Sequence, residues 1–560
     1  MKRFQFFIAA MLGAALIGSP VYADTVVRSS AVADTLVDNL DGTTLDAQGN
    51  AVHFTGLVIG SDGRIVQVLH RGDKRPARTN YAIDEHGRIA IPGFVDGHAH
   101  VMELGFAALT LDLSSAKSLA EAQGRLAAYT AAHPDRGWII GRGWNAERWA
   151  PGRALNSADL DSVVAEHPVW LVSADGHAGW ANGKALALAH VSALTRDPPG
   201  GRIERGVGGK PTGVLVDAAM ALVGSMVPAP RPEDRDLAFA SAQAILLKHG
   251  ITAITDMGTT IEDWQTWRRA GDSGALAIRI MAYADGVEAM ALIAGPGPTR
   301  WLYDDRLRLN GVSLTLDGTL AHHSALMKAP YTDAPTLKGL ARLSETQLKN
   351  LMSRAAIDHF QVAVHAAGDA ANAQVLAAIA DLSETYHGDR RWRIEDSEVL
   401  DPADVAGFGA HGLVATMLPD AVANDRSMTE ARLGPARLPG AYPWKSVAAA
   451  QAVLAFGSGA PAAIPDPFAA LATAITRQGA DAQPYGGWQP QEKLTREAAL
   501  AALTSGAAYA GFGDGHFGRI EPGQRADFLL IDQDPLLASP SELRATHIIE
   551  VWVGGRKVQG

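Results

Sequence analysis

Short apolar runs recur along the middle of the chain, and most are followed by a stretch with helical periodicity. This alternation predicts the strand–helix units of a parallel sheet. Because the first run, Phe94–Val95, is followed by seven more, the pattern predicts an α/β fold, a closed (β/α)₈ TIM barrel with its chemistry at the C-terminal strand ends. The seven later predicted strands are Ile251–Thr255, Ile278–Ala282, Val312–Leu316, Gln361–His365, Trp392–Glu395, Leu413–Met417 and Val453–Ser458.

Both ends of the chain have a different pattern, with short β-rich pieces separated by turns. Residues 24–90 and 511–560 therefore predict one small β-sandwich domain that is built from both termini and flanks a barrel over 91–510. A segment of about 105–245 follows the first predicted strand and is too long for one crossover. It predicts an inserted subdomain that caps the mouth of the barrel.

The first 23 residues have the pattern of a targeting segment. Lys2 and Arg3 precede an apolar stretch, Phe4–Ile17, and small residues precede Asp24. This order predicts a signal peptide over residues 1–23, cleaved on export to a bacterial periplasm or beyond. The apolar stretch is short for a membrane span, so no membrane association is expected after cleavage.

Composition narrows the function classes further. The chain has 560 residues, 47% of them hydrophobic, which is typical of a globular protein with a large core and excludes a disordered chain. Its formal net charge of −11 and the absence of a basic run with aromatics argue against a nucleic-acid partner and favour a small-molecule substrate. With no cysteine, any metal must be held by histidines and carboxylates. Assembly into a homo-oligomer is left open.

Candidate chemistry is concentrated where the predicted strands end. His98 and His100 are two residues apart on a strand, so their side chains point to the same side. Imidazole is the commonest protein ligand for zinc, and the later strand exits add further histidine and carboxylate donors. The pattern predicts a metal site at the barrel mouth; a polar mouth that binds substrate without metal is the alternative. The later exit residues are Asp256, Asp317, His365 and Asp396.

Motifs are spread over nearly the whole chain beyond residue 23. They are Pro92–His100, Gly141–Trp144, Asp175–His177, Pro211–Leu215, Leu316–Gly318, His365–Asp369, Arg393–Glu395 and Glu521–Asp527. In these motifs the chain resembles the metal-dependent amidohydrolase superfamily, in particular its amidohydrolase family 3 branch. The resemblance implies the barrel with its split sandwich, and hydrolysis of a C–N bond in an amide, cyclic amide or N-acyl group by metal-activated water.

The resemblance also implies roles for individual residues. His98, His100 and His365 match the metal ligands of the first and fifth strands. His177 matches a residue that faces the substrate, and Asp317 also matches a family residue; both are expected to bind substrate. His322 lies just beyond the fourth strand and is expected to bind substrate as well.

Three positions differ from the family pattern. Ser313 stands where a metal-bridging lysine is usual, so a two-metal site is not expected. Asp396 replaces a histidine but can still bind through oxygen, which predicts one divalent ion, zinc foremost, held by three histidines and Asp396. Gly459 replaces the aspartate that takes the proton from water, and Asp396 is the predicted catalytic substitute. His322 and His323 are the second candidate, after Asp396, for the missing base.

These changes leave three hypotheses. The first is a mononuclear metal-dependent hydrolase of a small C–N compound. The second is a catalytically degenerate protein that keeps the fold and binds a ligand without turnover. The third is a lyase or isomerase that abstracts a proton with Asp396 or His365.

Overall fold

A computed structural model describes residues 33–149 and 153–559 of this chain. The predicted signal peptide, residues 1–23, lies outside the described residues. Within the described part, none of the helices has the length and apolar character needed to cross a membrane. Three sheets organise the described residues, with eight, seven and six strands.

The eight-stranded sheet is the barrel, and its strands pair in parallel in chain order. Two hydrogen bonds just beyond the strands join its edges: the Gly459 amide donates to the His98 carbonyl at 2.9 Å, and the His100 amide donates to the Ala460 carbonyl at 2.8 Å. The predicted (β/α)₈ architecture is confirmed. The barrel strands, called the first to the eighth below, are Phe94–Ala99, Ile251–Thr259, Arg279–Asp285, Leu307–Thr315, Gln361–Ala366, Arg393–Asp396, Val414–Met417 and Val453–Phe456.

Burial explains why these segments form strands. All residues of Phe94–Ala99 and of Gln361–Ala366 are buried, as expected for parallel strands covered on both faces. His98 and His365 lie near the C-terminal ends of these two strands. The barrel therefore presents both histidines at the same end.

Helices surround the barrel on its outer side. The fourth and fifth strands, for example, are followed by Glu345–Ile357, which begins with a Ser344–Gln347 capping box, and by Asp369–Ser383. The other helices between and after the barrel strands are Val101–Leu109, Pro232–Lys248, Ile261–Asp272, Gly286–Ala294, Val405–Ala410, Pro419–Asn424, Arg426–Leu433, Trp444–Ala449, Pro467–Thr476, Arg496–Ala502, Ser505–Ala510 and Pro540–Arg544.

The seven-stranded sheet joins the two ends of the chain. Thr79–Pro92 pairs in parallel with Ala33–Leu45 and antiparallel with Phe528–Ile531, which links the N-terminal and C-terminal strands. Apolar residues from both parts, including Phe54 and Trp552, form one buried cluster on this sheet. The remaining strands are Ala51–Ile59, Ile65–Leu69, Ile548–Val553 and Arg556–Gln559.

The six-stranded sheet belongs to the insertion between the first and second barrel strands, here called the cap. Its strands are Leu111–Asp112, Ile139–Trp144, Val169–Ser173, Ala178–Ala181, Gly201–Arg205 and Pro211–Asp217. Its helices are Leu119–Ala132, Ala146–Trp149, Ser157–Asp161, Gly183–Leu188 and Ala221–Gly224. The turn that carries His177 connects two central strands of this sheet and contacts the C-terminal end of the barrel.

Candidate active site

The mouth of the barrel brings together histidines from distant parts of the chain. The His98 and His100 rings lie with their centroids 5.5 Å apart and nearly perpendicular. The His365 ring, from the fifth strand, stacks on the His177 ring of the cap at 5.2 Å. The predicted strand-exit residues therefore meet the cap at one place.

His98 is held by a buried ion-pair network. Its Nδ1 lies 2.8 Å from Oε2 of Glu395, and the other oxygen of Glu395 accepts a 2.8 Å hydrogen bond from Arg393. Arg393 is fully buried and also donates to the Gly97 carbonyl at 2.7 Å. Burial lowers the pKa of His98, but the charges of Asp396 and Glu395 outweigh it and raise the pKa overall.

His100 is held by a neutral partner. Its Nδ1 lies 2.6 Å from the Met257 carbonyl, so Nδ1 carries the proton and Nε2 carries the lone pair. Burial lowers the pKa of His100 and favours this neutral form. Within 33–149 and 153–559 no hydrogen bond reaches Nε2 of His98 or of His100. Both imidazoles thus keep one nitrogen for another group.

His365 and Asp396 are paired with each other. Nδ1 of His365 contacts Oδ2 of Asp396, while Nε2 lies 3.2 Å from the Gly318 carbonyl. Burial lowers the pKa of His365, but the Asp396 charge outweighs it and raises the pKa. Since both ring nitrogens face acceptors, both carry protons, and His365 is an imidazolium in this arrangement.

Asp396 keeps one carboxylate oxygen for another group. Its Oδ1 is buried and has no hydrogen-bond partner among the described residues. Asp396 also has a φ of 72°, a left-handed conformation that aspartate tolerates better than most residues. Burial raises its pKa, but the charges of His98 and His365 outweigh this and hold the pKa below the usual range. The carboxylate is therefore ionised.

The predicted ligand set does not fit a metal ion as it is arranged here. A ligating imidazole needs an unprotonated nitrogen, and both nitrogens of His365 face acceptors. In the described part of the chain, no group of three or more histidine, aspartate or glutamate side chains is arranged to hold a metal ion. The predicted ligand roles of His98, His100, His365 and Asp396 stay predictions, and they require His365 to turn away from Gly318.

His177 is oriented by a buried aspartate of the cap. Its Nδ1 lies 2.7 Å from Oδ1 of Asp217, whose side chain is fully buried. Asp217 has a φ of 50°, so the chain adopts an uncommon conformation at the residue that holds this histidine. Gly318 permits the approach, because a Cβ there would lie 2.5 Å from Oδ2 of Asp217.

His322, predicted to bind substrate, is placed beside the cap. Its Nε2 lies 3.1 Å from Asp175, which also accepts a hydrogen bond from Thr319 at 2.9 Å. Asp175 lies two residues before His177, so this contact connects the loop after the fourth strand to the turn that carries His177. The neighbouring His323 instead contacts Asp333 at 3.1 Å.

Asp317 is fully buried beneath the site. Its two oxygens accept hydrogen bonds from the main-chain amides of Leu326, Ala367 and Gly368 at 2.7, 2.9 and 2.9 Å. Burial raises its pKa to about 6. These bonds fix the loops that follow the fourth and fifth strands, and the substrate-binding role predicted for Asp317 stays a prediction.

The two other altered positions have local surroundings that suit the residue present. Ser313 is half-buried within the fourth strand, between Asp285 and Ala363 on the neighbouring strands. Gly459 has a φ of 64°, and its amide donates to the His98 carbonyl. A Cβ at Gly459 would lie 2.9 Å from Cδ1 of Leu418. Glycine therefore suits the tight closure of the barrel at this point.

The sequence does not indicate which residues orient the histidines. Asp217 ends a strand whose first residues belong to the Pro211–Leu215 motif, but it lies outside that motif. Glu395 belongs to the Arg393–Glu395 motif, which does not identify it as the partner of His98. The spacing along the chain, 40 residues for His177–Asp217 and 297 for His98–Glu395, carries no local signal of either contact.

Comparisons with known proteins agree with this architecture. A family model described as the Amidohydrolase family matches residues 82–559. The chain is 30% identical over 546 residues to Protein LONG AFTER FAR-RED 3 of Arabidopsis thaliana, which covers 94% of this chain and 92% of that protein. It is 27% identical over 546 residues to the N-substituted formamide deformylase of Arthrobacter pascens, with 93% and 97% covered.

One solved structure matches nearly the whole fold. It is an uncharacterized metal-dependent hydrolase from Pyrococcus horikoshii OT3, with a TM-score of 0.73 at 23% identity, covering 90% of this chain and 99% of that chain. At this identity the likeness supports the fold alone. Together with the family model, these matches confirm the resemblance that the motifs predicted.

Proposed function

We infer that this chain, which belongs to the amidohydrolase family and is a hydrolase, cleaves the C–N bond of a small amide, cyclic amide or N-acyl compound. The observation that carries the proposal is the His177 ring, which is held at Nδ1 by Asp217, is stacked on His365 and has no hydrogen-bond partner at Nε2 among the described residues. A relative named for deformylation of N-substituted formamides supports this bond type.

The proposed reaction uses His177 as the proton carrier. With its Nδ1–H donated to Asp217, His177 has a lone pair at Nε2 that takes a proton from water as the oxygen attacks the carbonyl carbon. The same proton then passes to the nitrogen of the leaving amine as the C–N bond breaks. The products are a carboxylic acid and an amine, which balances the addition of one water.

Asp396 keeps its proposed catalytic role through its free oxygen. Oδ1 is an ionised, buried acceptor without a hydrogen-bond partner among the described residues, and Asp396 contacts His365, on which the His177 ring stacks. A hydrogen bond from the attacking water to this oxygen would orient the water beside His177. A carboxylate held this strongly ionised is a poor base, so the proton itself goes to the imidazole.

The proposed experiment measures amine release from N-formyl amines, N-acetyl amines and cyclic imides by the purified full chain. His177→Gln and Asp396→Asn are expected to lower kcat by about 10²- to 10⁴-fold, the usual contribution of a positioned acid or base. His387→Gln, an exposed histidine remote in sequence from the cap, is the control and should leave kcat unchanged. Unchanged kcat in His177→Gln would overturn the mechanism. Absence of turnover with every substrate class would favour the non-catalytic binding hypothesis.

A divalent ion remains a separate proposal. The amidohydrolase superfamily is metal-dependent, and the sequence predicts one ion, zinc foremost, at His98, His100, His365 and Asp396. The proposed proton transfers do not depend on it, because the side chains of residues 33–149 and 153–559 as arranged do not form such a site. Metal analysis of the wild type and of the His98→Asn variant tests it: a stoichiometric metal lost in the variant supports the site, and equal metal in both contradicts it.

Export and a small-molecule substrate, without a nucleic-acid or membrane partner, also remain proposals from the sequence. Expression of the chain in a bacterium, followed by intact-mass analysis, tests export. A chain that begins at Asp24 and is found in the periplasm supports cleavage after residue 23, and an uncleaved chain in the cytoplasm contradicts it.

A further inference from the structure

One buried arginine beside the site has unusually weak contacts. Arg142 lies on the cap strand Ile139–Trp144, and its side chain is only 10% exposed. Its Nη1 donates to Oε2 of Glu103 and its Nη2 donates to the Ala174 carbonyl, both at 3.4 Å, which is at the limit of a hydrogen bond. A guanidinium offers five N–H donors, so most of the capacity of Arg142 is unused.

Other buried arginines of this chain have shorter contacts. Arg279 makes a bidentate pair with Asp527 at 2.5 and 2.7 Å, and Arg393 donates to Glu395 and Gly97 at 2.8 and 2.7 Å. Arg477 donates to two main-chain carbonyls at 2.9 Å, although its Nη2 has no partner among the described residues. Arg142 differs from these three because its contacts are both 3.4 Å long. Leaving a buried cation with weak partners costs free energy, and burial lowers its pKa.

Arg142, with its unused N–H donors, lies beside the candidate site. Glu103 lies in the first turn of the helix that follows His100, and Ala174 lies three residues before His177. The guanidinium is therefore between the first barrel strand and the cap turn that carries the proposed proton carrier. The Glu103 side chain is 58% exposed, so it can leave Arg142 at little cost.

Another cap arginine near the mouth is already occupied. Arg202 donates to Glu204 and to the His322 carbonyl, both at 2.8 Å. Arg202 therefore has short contacts, whereas Arg142 has two contacts of 3.4 Å, one of them to the carboxylate of the exposed Glu103 side chain.

We propose that Arg142 binds a carboxylate of the substrate, so that the preferred substrates are amides that carry a free acid, as in N-acyl amino acids. The proposal rests on the proposed function and names its substrate class. A planar carboxylate matches the guanidinium fork in a bidentate pair, which no neutral amide can make. The substrate displaces Glu103 from Arg142 and leaves its scissile bond toward His177.

The test compares matched substrates that differ only in charge. N-formyl and N-acetyl derivatives of glycine, alanine and phenylalanine are assayed as free acids and as carboxamides. For the wild type, kcat/KM is expected to be higher for the acids. Arg142→Met should lower kcat/KM for the acids by about 10- to 100-fold, the loss of a charged hydrogen-bonded pair, and leave the carboxamides within a few-fold. An equal loss for both classes would show a structural role and overturn the proposal.

A second variant gives a readout that a structural role does not move. Glu103→Gln removes the competing carboxylate and should lower KM for the acids without changing KM for the carboxamides. Arg142→Lys keeps the charge but not the fork, and should recover part of the acid preference. An unchanged KM for the acids in Glu103→Gln would count against the displacement of Glu103.

Binding without turnover separates this inference from the proposed function. Thermal melting of the full chain is measured with N-acetylglycine and with N-acetylglycinamide. Stabilisation by the acid alone, lost in Arg142→Met, together with no hydrolysis of any compound, would overturn the proposed function and keep the carboxylate site. Hydrolysis of the acid and the carboxamide with equal preference would keep the proposed function and overturn the carboxylate site.

Discussion

The two sides of the barrel mouth use the same residue types in different ways. On the side of the first strand, His98 and His100 each have Nδ1 held by an outer acceptor, a carboxylate and a carbonyl respectively. On the side of the fifth and sixth strands, His365 and Asp396 hold each other, and His365 also contacts Gly318. The first side keeps imidazole nitrogens available, whereas the second side is a closed ion pair with one oxygen left over.

This difference shows that the outer partner, and not the residue type, decides what a histidine can do. An acceptor at Nδ1 fixes the tautomer and leaves Nε2 as a base or ligand. Acceptors at both nitrogens make an imidazolium, which can be neither. By the same rule His177, whose Nδ1 is held by Asp217, belongs with the first side although its ring stacks on His365.

The largest expected effect comes from removing Glu395, the carboxylate that holds Nδ1 of His98 on the first side. Glu395→Ala leaves Arg393 as an uncompensated charge in the core, since both residues are at most 1% exposed. Breaking such a buried pair should lower the free energy of unfolding by about 3–5 kcal/mol, measured by denaturant titration. Asp381→Ala, which breaks an exposed pair with Lys349, is the control and should cost about 0–1 kcal/mol. A similar loss in both variants would mean that the Glu395 network is not a tight ion pair.

A smaller effect is expected when the charged partner of His365 is replaced by a neutral acceptor, like the carbonyl that holds His100. Asp396→Asn removes the charge that keeps His365 protonated but retains a carbonyl acceptor. The pKa of His365 should fall by more than one unit, because charged hydrogen bonds contribute about 1.5–3 kcal/mol and one pKa unit corresponds to about 1.4 kcal/mol. Imidazole signals in an NMR pH titration measure this, with the exposed His387 as the internal control. An unchanged pKa of His365 would contradict the ion pair.

The positions of the strands and the directions of their exit side chains can be predicted from the sequence, whereas the protonation pattern of the histidines cannot. The eight barrel strands are local apolar runs, and the common direction of His98 and His100 follows from strand periodicity, so both could be predicted. Strand exits also brought His365 beside Asp396, because Ala366 and Asp396 are partners in neighbouring strands. The protonation pattern depends on acceptors from other elements, such as Met257 and Asp217, and tertiary packing alone places these.

A further effect, on the pH dependence of stability, is expected at Asp256, which supports the first side from the second strand. Its Oδ1 accepts a hydrogen bond from the Val101 amide, next to His100, and burial raises its pKa to about 8. In the unfolded chain the pKa of an aspartate is about 3.9, so between about pH 4 and pH 8 the folded protein holds a proton that the unfolded chain has released. Folded stability from this group is therefore highest below about pH 4 and decreases as the pH rises toward 8. Asp256→Asn resembles the protonated form and should remove this part of the pH dependence. Melting temperatures at pH 5 and pH 8.5 measure it: the wild type should lose more between the two values than the variant, and equal losses would mean that Asp256 is ionised in the folded protein.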